Sequence, residues 1–394
     1  MSLHLPTLCL ATAALVLLGC GAQESSSHVE APSTAVGVDT ASIVATARTL
    51  LDREPQTVTA FRAERSAGGP HDYYSEGRYW WPNPDDPDGP YIRKDGQSFT
   101  GLFLDHRNAL ADLSATMSAL TVAYLHTGEA SFAEAAKRHA RAWFVDTATV
   151  MHPRLTYAQA IKGITTGRGI GIIDTKSLIY VASSIDLLAA AGVFGNEELA
   201  TIRQWFGDYG EWLTSSSNGQ DERDNGNNHS TWWGAQLAAY ARVAERRDLL
   251  DTARLQYRRS LALQMDSLGV FPDEVSRTRP FHYMEYNLDG FATLAHLASA
   301  PQADLWSHAS DAGTLRKSID WYLSYHDRLA QWPYPAELEP EPHYEPADYL
   351  YLTALHYDDA AYAKTYRQLA AAQPPADEAE LAVLTWPQPN PTAL

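Results

Sequence analysis

Two segments about fifty residues apart hold the side chains best suited to moving protons. Asp224-Asn-Gly-Asn-Asn-His-Ser-Thr-Trp-Trp233 sets Asn228 and His229 at the head of an aromatic, helix-forming stretch that includes Trp232. Arg277-Thr-Arg-Pro-Phe-His-Tyr-Met-Glu-Tyr286 then brings Arg277, Arg279, Tyr283 and Tyr286. Together they offer an amide, an imidazole, guanidinium groups and phenols. That set can take a proton from carbon beside a carboxylate and stabilise the charge that develops. At a loop-to-helix junction, backbone N–H groups and the helix dipole disfavour imidazolium, so His229 is expected to be neutral and able to act as a base. Asn228 is a natural N-cap and an amide donor. Arg277 and Arg279 can each pair bidentately with a carboxylate. Tyr283 and Tyr286, three apart, share a face if the segment is helical, and nearby cations make a phenolate accessible. The plainer reading of each, a capped helix with surface arginines and core tyrosines, stands beside the chemical one.

A third constellation runs from His71 to Gly96. It carries Tyr79-Trp80-Trp81-Pro, then Pro90-Tyr-Ile-Arg93-Lys94-Asp95-Gly. Aromatics interleaved with cations suit a groove that stacks sugar rings and attracts carboxylates, so Tyr79, Trp80, Trp81, Arg93 and Lys94 are candidate substrate contacts. A fourth runs Met151-His-Pro-Arg-Leu-Thr-Tyr157-Ala-Gln159, then Gly167-Arg168-Gly-Ile-Gly-Ile-Ile-Asp174. Its glycine string lacks the preceding strand and the spacing of a nucleotide loop. The glycines are expected to let backbone approach a ligand, with Tyr157, Gln159 and Arg168 nearby. The 14 histidines show no His-x3-His or His-Glu-x-x-His spacing, so no metal or other cofactor is expected. No Gly-x-Ser-x-Gly elbow appears either. Glu222, Asp224, Asp273 and Glu274 fall beside the same loops and keep open a hydrolase with paired carboxyls.

These residues need elements to hold them. Leu110, Leu113, Met117, Leu120 and Tyr124 recur at three and four, the mark of a helix face, and 131–144 follows suit. Further helices are predicted over 175–192, 196–214, 229–246, 248–266, 284–299, 312–328, 346–357 and 359–372. Thr127-Gly128, Gly192-Val-Phe-Gly195, Ser217-Asn-Gly219 and Asp273 are stop and cap signals between them. Only 98–104 and 170–173 could be short strands. Consecutive helix pairs without a clear repeat predict an all-α chain, an (α/α)n toroid or an α-solenoid of helical hairpins. An irregular aromatic arm at 69–100 and a long loop at 146–174 interrupt it, and loops of that length are usually functional.

Of 394 residues, 45% are hydrophobic and 20% charged, enough for a large core. The formal charge of −18 excludes nucleic acid and works against any anionic polymer unless a local cationic cleft overrides it. Residues 1–19 read as an export leader whose apolar run, Leu8 to Leu18, is too short to span a bilayer. Leu17-Leu18-Gly19-Cys20 resembles a lipobox, although no Lys or Arg precedes the apolar run. Lipidation at Cys20 and a flexible tether over 20–40 would place a single domain, 41–394, in the periplasm or at the outer membrane of a Gram-negative bacterium. Cys9 would leave with the leader, so no disulfide is expected.

Taken together, Tyr79-Trp-Trp-Pro, Pro90-Tyr-Ile-Arg-Lys-Asp-Gly, Trp143-Phe-Val-Asp-Thr-Ala-Thr, Tyr157-Ala-Gln, Gly167-Arg-Gly-Ile-Gly-Ile-Ile-Asp, Asn228-His229-Ser and His282-Tyr283 resemble the alginate-lyase-type polysaccharide lyases. The resemblance spans roughly 70–300 and implies an α/α toroid, an incomplete barrel. It implies β-elimination on a 4-linked uronate polymer, alginate or a glucuronan-like chain, giving unsaturated oligouronides. In that family an Asn-His pair, a Tyr and an Arg form the active site. Asn228 and His229 match; Tyr283 is favoured over Tyr286, and Arg277 and Arg279 stay equivalent. His152 stands where relatives carry Asn. If hydrogen and leaving oxygen share a ring face, one tyrosine serves as base and acid; otherwise His229 is base and Tyr283 acid. A glycoside hydrolase of acidic polysaccharides and a non-catalytic glycan-binding lipoprotein are the alternatives.

Overall fold

Long amphipathic helices joined by short turns make the frame. The computed structural model describes residues 37–325, 328–338, 348–372 and 378–386, all within one compact unit, Ala31–Leu394. The leader, Cys20 and the tether as far as residue 36 lie outside the described residues. Fourteen helices occur among those described. They are α1 (Thr40–Thr49), α2 (Asp105–Thr127), α3 (Ala130–Phe144), α4 (Leu178–Ala190), α5 (Asn196–Ser215), α6 (Ser217–Arg223) and α7 (Asn228–Val243). Then follow α8 (Arg247–Gln264), α9 (Pro272–Val275), α10 (Pro280–Ala298), α11 (Leu315–Leu323), α12 (Asp348–Tyr357), α13 (Ala360–Ala372) and α14 (Glu378–Thr385). None is long and apolar enough to cross a membrane.

The hairpins arrange themselves in two layers. Inner helices pack in chain order, α2 on α4, α4 on α7, α7 on α10 and α10 on α12, while α14 returns to α2 and α4. Their partners α3, α8 and α13 lie against α2, α7 and α12. This is an incomplete α/α toroid of helical hairpins, as the periodicity predicts. Helix α2 stops where the sequence says it should, with Gly128 left-handed at φ +71° and its N–H bonded to the Tyr124 carbonyl. Helix α10 begins at Pro280, earlier than the expected 284, because proline is pre-set for a first helical turn and has no N–H to leave unpaired. Helix α7 is covered on all sides and buries Asn228 and every residue from Ser230 to Val243.

Three two-stranded ladders complete the fold. They are β1 (Tyr74–Glu76) parallel to β4 (Tyr157–Ala160), β2 (Trp80–Trp81) antiparallel to β3 (Ile92–Arg93), and β5 (Ala309–Ser310) antiparallel to β6 (Gly313–Thr314). The expected strands at 98–104 and 170–173 do not form; the latter lies in a 3-10 turn, Gly169–Thr175. The glycine string brings the turn close to its neighbours in the fold. A Cβ on Gly167 would sit 2.0 Å from the Thr156 carbonyl oxygen, on Gly169 2.6 Å from that of Asn218, and on Gly171 2.7 Å from that of Ala158. The turn therefore lies flush on β4 and α6. The aromatic arm is pinned at both ends. Asp72 accepts from His152 Nδ1 (2.8 Å) and Arg154, and Asp95 accepts from Arg277 and Thr278.

Trp233 is fully buried in α7, with its Nε1–H donating to the Leu213 carbonyl. Trp233→Ala is expected to cost about 3–5 kcal/mol, read as a lower denaturant midpoint at unchanged slope.

Candidate active site

The head of α7 is built from a cap and two buried carboxyls. Asn227, not Asn228, is the N-cap, its side chain accepting the His229 N–H at 3.0 Å. Asn228 is therefore the first helical residue, turned inward and 2% exposed. Glu274, on α9, accepts from the Asn228 backbone N–H (2.6 Å) and from its amide nitrogen at both carboxyl oxygens (2.9 and 2.8 Å). Burial pushes the Glu274 carboxyl above the usual range, while the Asn228 donors pull it down.

His229 is held from behind. Its Nδ1 lies 2.8 Å from an oxygen of Glu222, on α6, whose side chain is fully buried. The carboxylate fixes the proton on Nδ1 and leaves Nε2 for the open side. Burial disfavours imidazolium here, yet the charge and hydrogen bond of Glu222 outweigh it, and the pKa rises. The shift runs opposite to the one expected from the helix dipole. A dipole is worth a few tenths to about 2 kcal/mol, and an adjacent anion in a dry site is worth more.

Tyr283 lies opposite in the same cleft. Arg277 Nη2 donates to its hydroxyl at 2.9 Å, and the guanidinium carbon sits 3.9 Å from the ring centre. The Tyr79 hydroxyl is 3.0 Å from the Tyr283 hydroxyl. Burial holds the phenol well above its ordinary pKa and Tyr79 adds to this, while Arg277 opposes it. At rest Tyr283 is a neutral phenol, not the accessible phenolate that its cationic neighbour suggested. Arg277 was expected to clamp a substrate carboxylate, but Asp95 takes its Nε and Nη2 at 3.2 and 3.1 Å. Arg279 faces an adjoining cleft of about 460 Å³ and does not line the main one.

The main cleft has a volume of about 530 Å³. Tyr79, Trp80, Arg93, Gln159, Arg168, Asn228, His229, Arg277, Tyr283 and Tyr286 all line it. Four other expected contacts do not. Trp81 packs within the arm on Phe99 beneath Lys94, and the Tyr157 ring lies against Gly68. Trp232 is 2% exposed and acts at one remove: Lys176 Nζ lies 4.8 Å from its ring and 5.0 Å from that of Tyr286. Arg78, Arg107, Lys176 and Asp174 line the cleft unforeseen: Arg107 and Lys176 stand outside every motif, while Arg78 and Asp174 lie inside two of them with no role assigned. Six cationic side chains thus face one carboxylate there, a local reversal of the overall charge. Asp174 is itself occupied, by Ser75 (2.5 Å) and by Gln159 (3.0 Å), which in turn accepts from Arg168 at 2.8 Å. Gln159 has φ +50°, uncommon for a side chain of its kind, and bridges the acid to the guanidinium. Burial lowers Arg168 to about 10.

None of Glu222, Asp224, Asp273 and Glu274 lines the cleft. Glu222 and Glu274 are buried behind it, Asp224 pairs with Arg223 and Arg259, and Asp273 is exposed. Among the described residues Asp174 is the one carboxylate lining the cleft, so the facing pair that a hydrolase requires is not presented there. Nor is any metal-holding group of His, Cys, Asp and Glu found among them.

The sequence profile of the alginate lyases matches residues 57–332. An alginate lyase of Pseudomonas putida (strain W619) is 39% identical over 82 residues, 21% of this chain and 22% of that protein. A second, from strain GB-1, is 39% identical over 80 residues, 20% and 22%. The matched stretch thus spans about a fifth of these relatives' length. The crystal structure of an alginate lyase from Bacteroides ovatus superposes with TM-score 0.78 at 29% identity, covering 88% of this chain and 92% of that one. Alginate lyase A1-III, in a substituted form complexed with a tetrasaccharide, shares the fold at TM-score 0.58 and 15% identity, covering 93% and 98%.

Glu222→Gln removes the charge that holds the imidazolium. The His229 ring, followed by NMR through a pH titration, is expected to lose its proton at lower pH than in the parent. An unchanged midpoint would show that Glu222 does not set it.

Proposed function

The chain belongs to the alginate lyase family, and from that premise we propose that the cleft cleaves alginate by β-elimination. The observation that carries the proposal is the Arg277–Tyr283–Tyr79 contact facing Asn228 and His229 in a cation-lined cleft. A 4-linked uronate has a C5 hydrogen beside its carboxylate, and losing it spreads negative charge over that group. The imidazolium of His229, kept charged by Glu222, and the amide of Asn228 are assigned to this charge. Tyr283, once ionised, takes the C5 proton. Arg277 donates to the phenolate oxygen, and the pair of electrons left behind moves toward the carboxylate. The C4–O4 bond then breaks, C4=C5 forms, and Tyr283 returns its proton to the departing O4. No water enters.

A single tyrosine working both steps fits mannuronate, whose H5 and O4 lie on one ring face. His229 is committed to Glu222, which weighs against its acting as base from the opposite face. Polymannuronate is therefore the preferred substrate. Lipidation at Cys20, and with it a place in the periplasm or at the outer membrane, is supported by Leu17-Leu18-Gly19-Cys20 alone.

Purified protein given polymannuronate is expected to generate the ultraviolet absorbance of a conjugated uronate. Tyr283→Phe should lower kcat by at least about 10²-fold, and parent kcat at saturating substrate should rise with pH as the phenol ionises. New reducing ends without absorbance would mean hydrolysis; tight oligouronide binding without turnover would mean a binding protein. Separately, Cys20→Ala should move the protein from the membrane fraction to the soluble one. If parent and variant fractionate alike, the anchor is wrong.

A further inference from the structure

Glu274 is the acid that this chemistry leaves unused. It is 1% exposed, and the three hydrogen bonds it receives among the described residues all come from Asn228. The charged and titratable groups around it have other commitments. His229 on α7 is paired with Glu222 of α6, Arg277 beyond α9 is paired with Asp95 of the arm, and Tyr283 of α10 is bonded to Arg277. Asp273, beside it on α9, is exposed. Glu274 is thus a buried carboxyl leaning on one neutral amide, and that same amide lines the cleft in which a uronate carboxylate must sit.

Two anions cannot share one amide cheaply. An ionised Glu274 draws the N–H side of Asn228 toward itself and adds negative charge behind the docking point. A protonated Glu274 carries an O–H that can donate to the amide's carbonyl oxygen. The amide is then free to turn about its last bond and offer N–H to the incoming group. We propose that Glu274 is a positioning residue whose carboxyl takes up a proton as the substrate carboxylate docks against Asn228. This rests on the lyase reading of the cleft and adds proton-coupled recognition to it. The sign follows from linkage. Substrate raises the pKa of Glu274, so binding is tightest below the free carboxyl's pKa and weakens as pH climbs from the free toward the bound value. Burial already holds that pKa high, which brings the window toward neutrality.

Tyr283→Phe gives a form that holds an oligomannuronate without cleaving it. Calorimetric titration in two buffers of different ionisation enthalpy counts the protons taken up on binding. Tyr283→Phe is expected to take up close to one proton more than the Tyr283→Phe, Glu274→Gln double variant. Its Kd should rise by up to about tenfold per pH unit within the window, and Glu274→Gln should flatten that rise. The infrared difference spectrum of Tyr283→Phe on binding should gain a protonated-carboxyl C=O band, a readout that survives if Glu274→Gln does not fold. Equal proton counts in the two forms, or no such band, overturn the proposal. If the parent makes unsaturated product while the counts are equal, this inference alone falls. If the parent makes none and Tyr283→Phe binds no oligomer, the lyase reading falls with it.

Discussion

A carboxylate removed from water and placed against an imidazole governs the rest of this site. Glu222 is fully buried beneath His229; burial raises the carboxyl's pKa while His229 opposes that rise, and Glu222 in turn raises the imidazole's pKa against burial. That contact fixes the tautomer and the ring orientation, and it favours positive charge at the cleft floor. It also fixes where α6 must sit relative to α7. The cap made by Asn227 and the inward turn of Asn228 then follow from the same short loop. Removing Glu222 takes away what raises the His229 pKa, and removing His229 takes away what opposes the rise in Glu222, so the two residues behave as one unit.

The opposite wall depends on the arm. Asp95 reaches from residues 69–100 to Arg277, which stacks on the Tyr283 ring and donates to its hydroxyl, while Tyr79 from the same arm meets that hydroxyl. The phenol's environment is therefore assembled by a segment with almost no regular structure. Its strands are two and three residues long, and side-chain bonds through Asp72, Ser75, Tyr79 and Asp95, with the pairing of β1 on β4, hold it in place. An acidic protein thus uses acids as struts: Asp95, Asp174, Glu222 and Glu274 each hold a side chain that lines the cleft. The cations they leave facing inward reverse the sign of the local field. The overall charge of −18 is no bar to an anionic polymer once that is seen.

Much of this was legible in one dimension, and the exceptions share a cause. Spacing of three and four located the helices and their pairing, because a helix face is a property of neighbours in sequence. Asn228, His229 and Tyr283 stood out because their types cluster on short stretches. What went unread were single residues meeting across long separations. Asp95 touches Arg277 over 182 positions, and Tyr79 touches Tyr283 over 204. Lys176 sits over Trp232 and Tyr286 from a separate helical pair. Residue types announced glycines that bring backbone close, but not that β4 and α6 would be among the close partners.

By itself the sequence determined the all-α hairpin frame, the family to which the chain belongs, and the residues able to move a proton. Periodicity and side-chain chemistry are local and survive without coordinates. Only the tertiary structure decided proton affinity and orientation: the His229 pKa raised rather than lowered, Tyr283 a phenol at rest, Arg277 bound to Asp95, Asn228 turned toward Glu274. Those outcomes depend on which charges lie within a few ångströms and on how much water is excluded. Both are set by chain segments that the sequence keeps far apart.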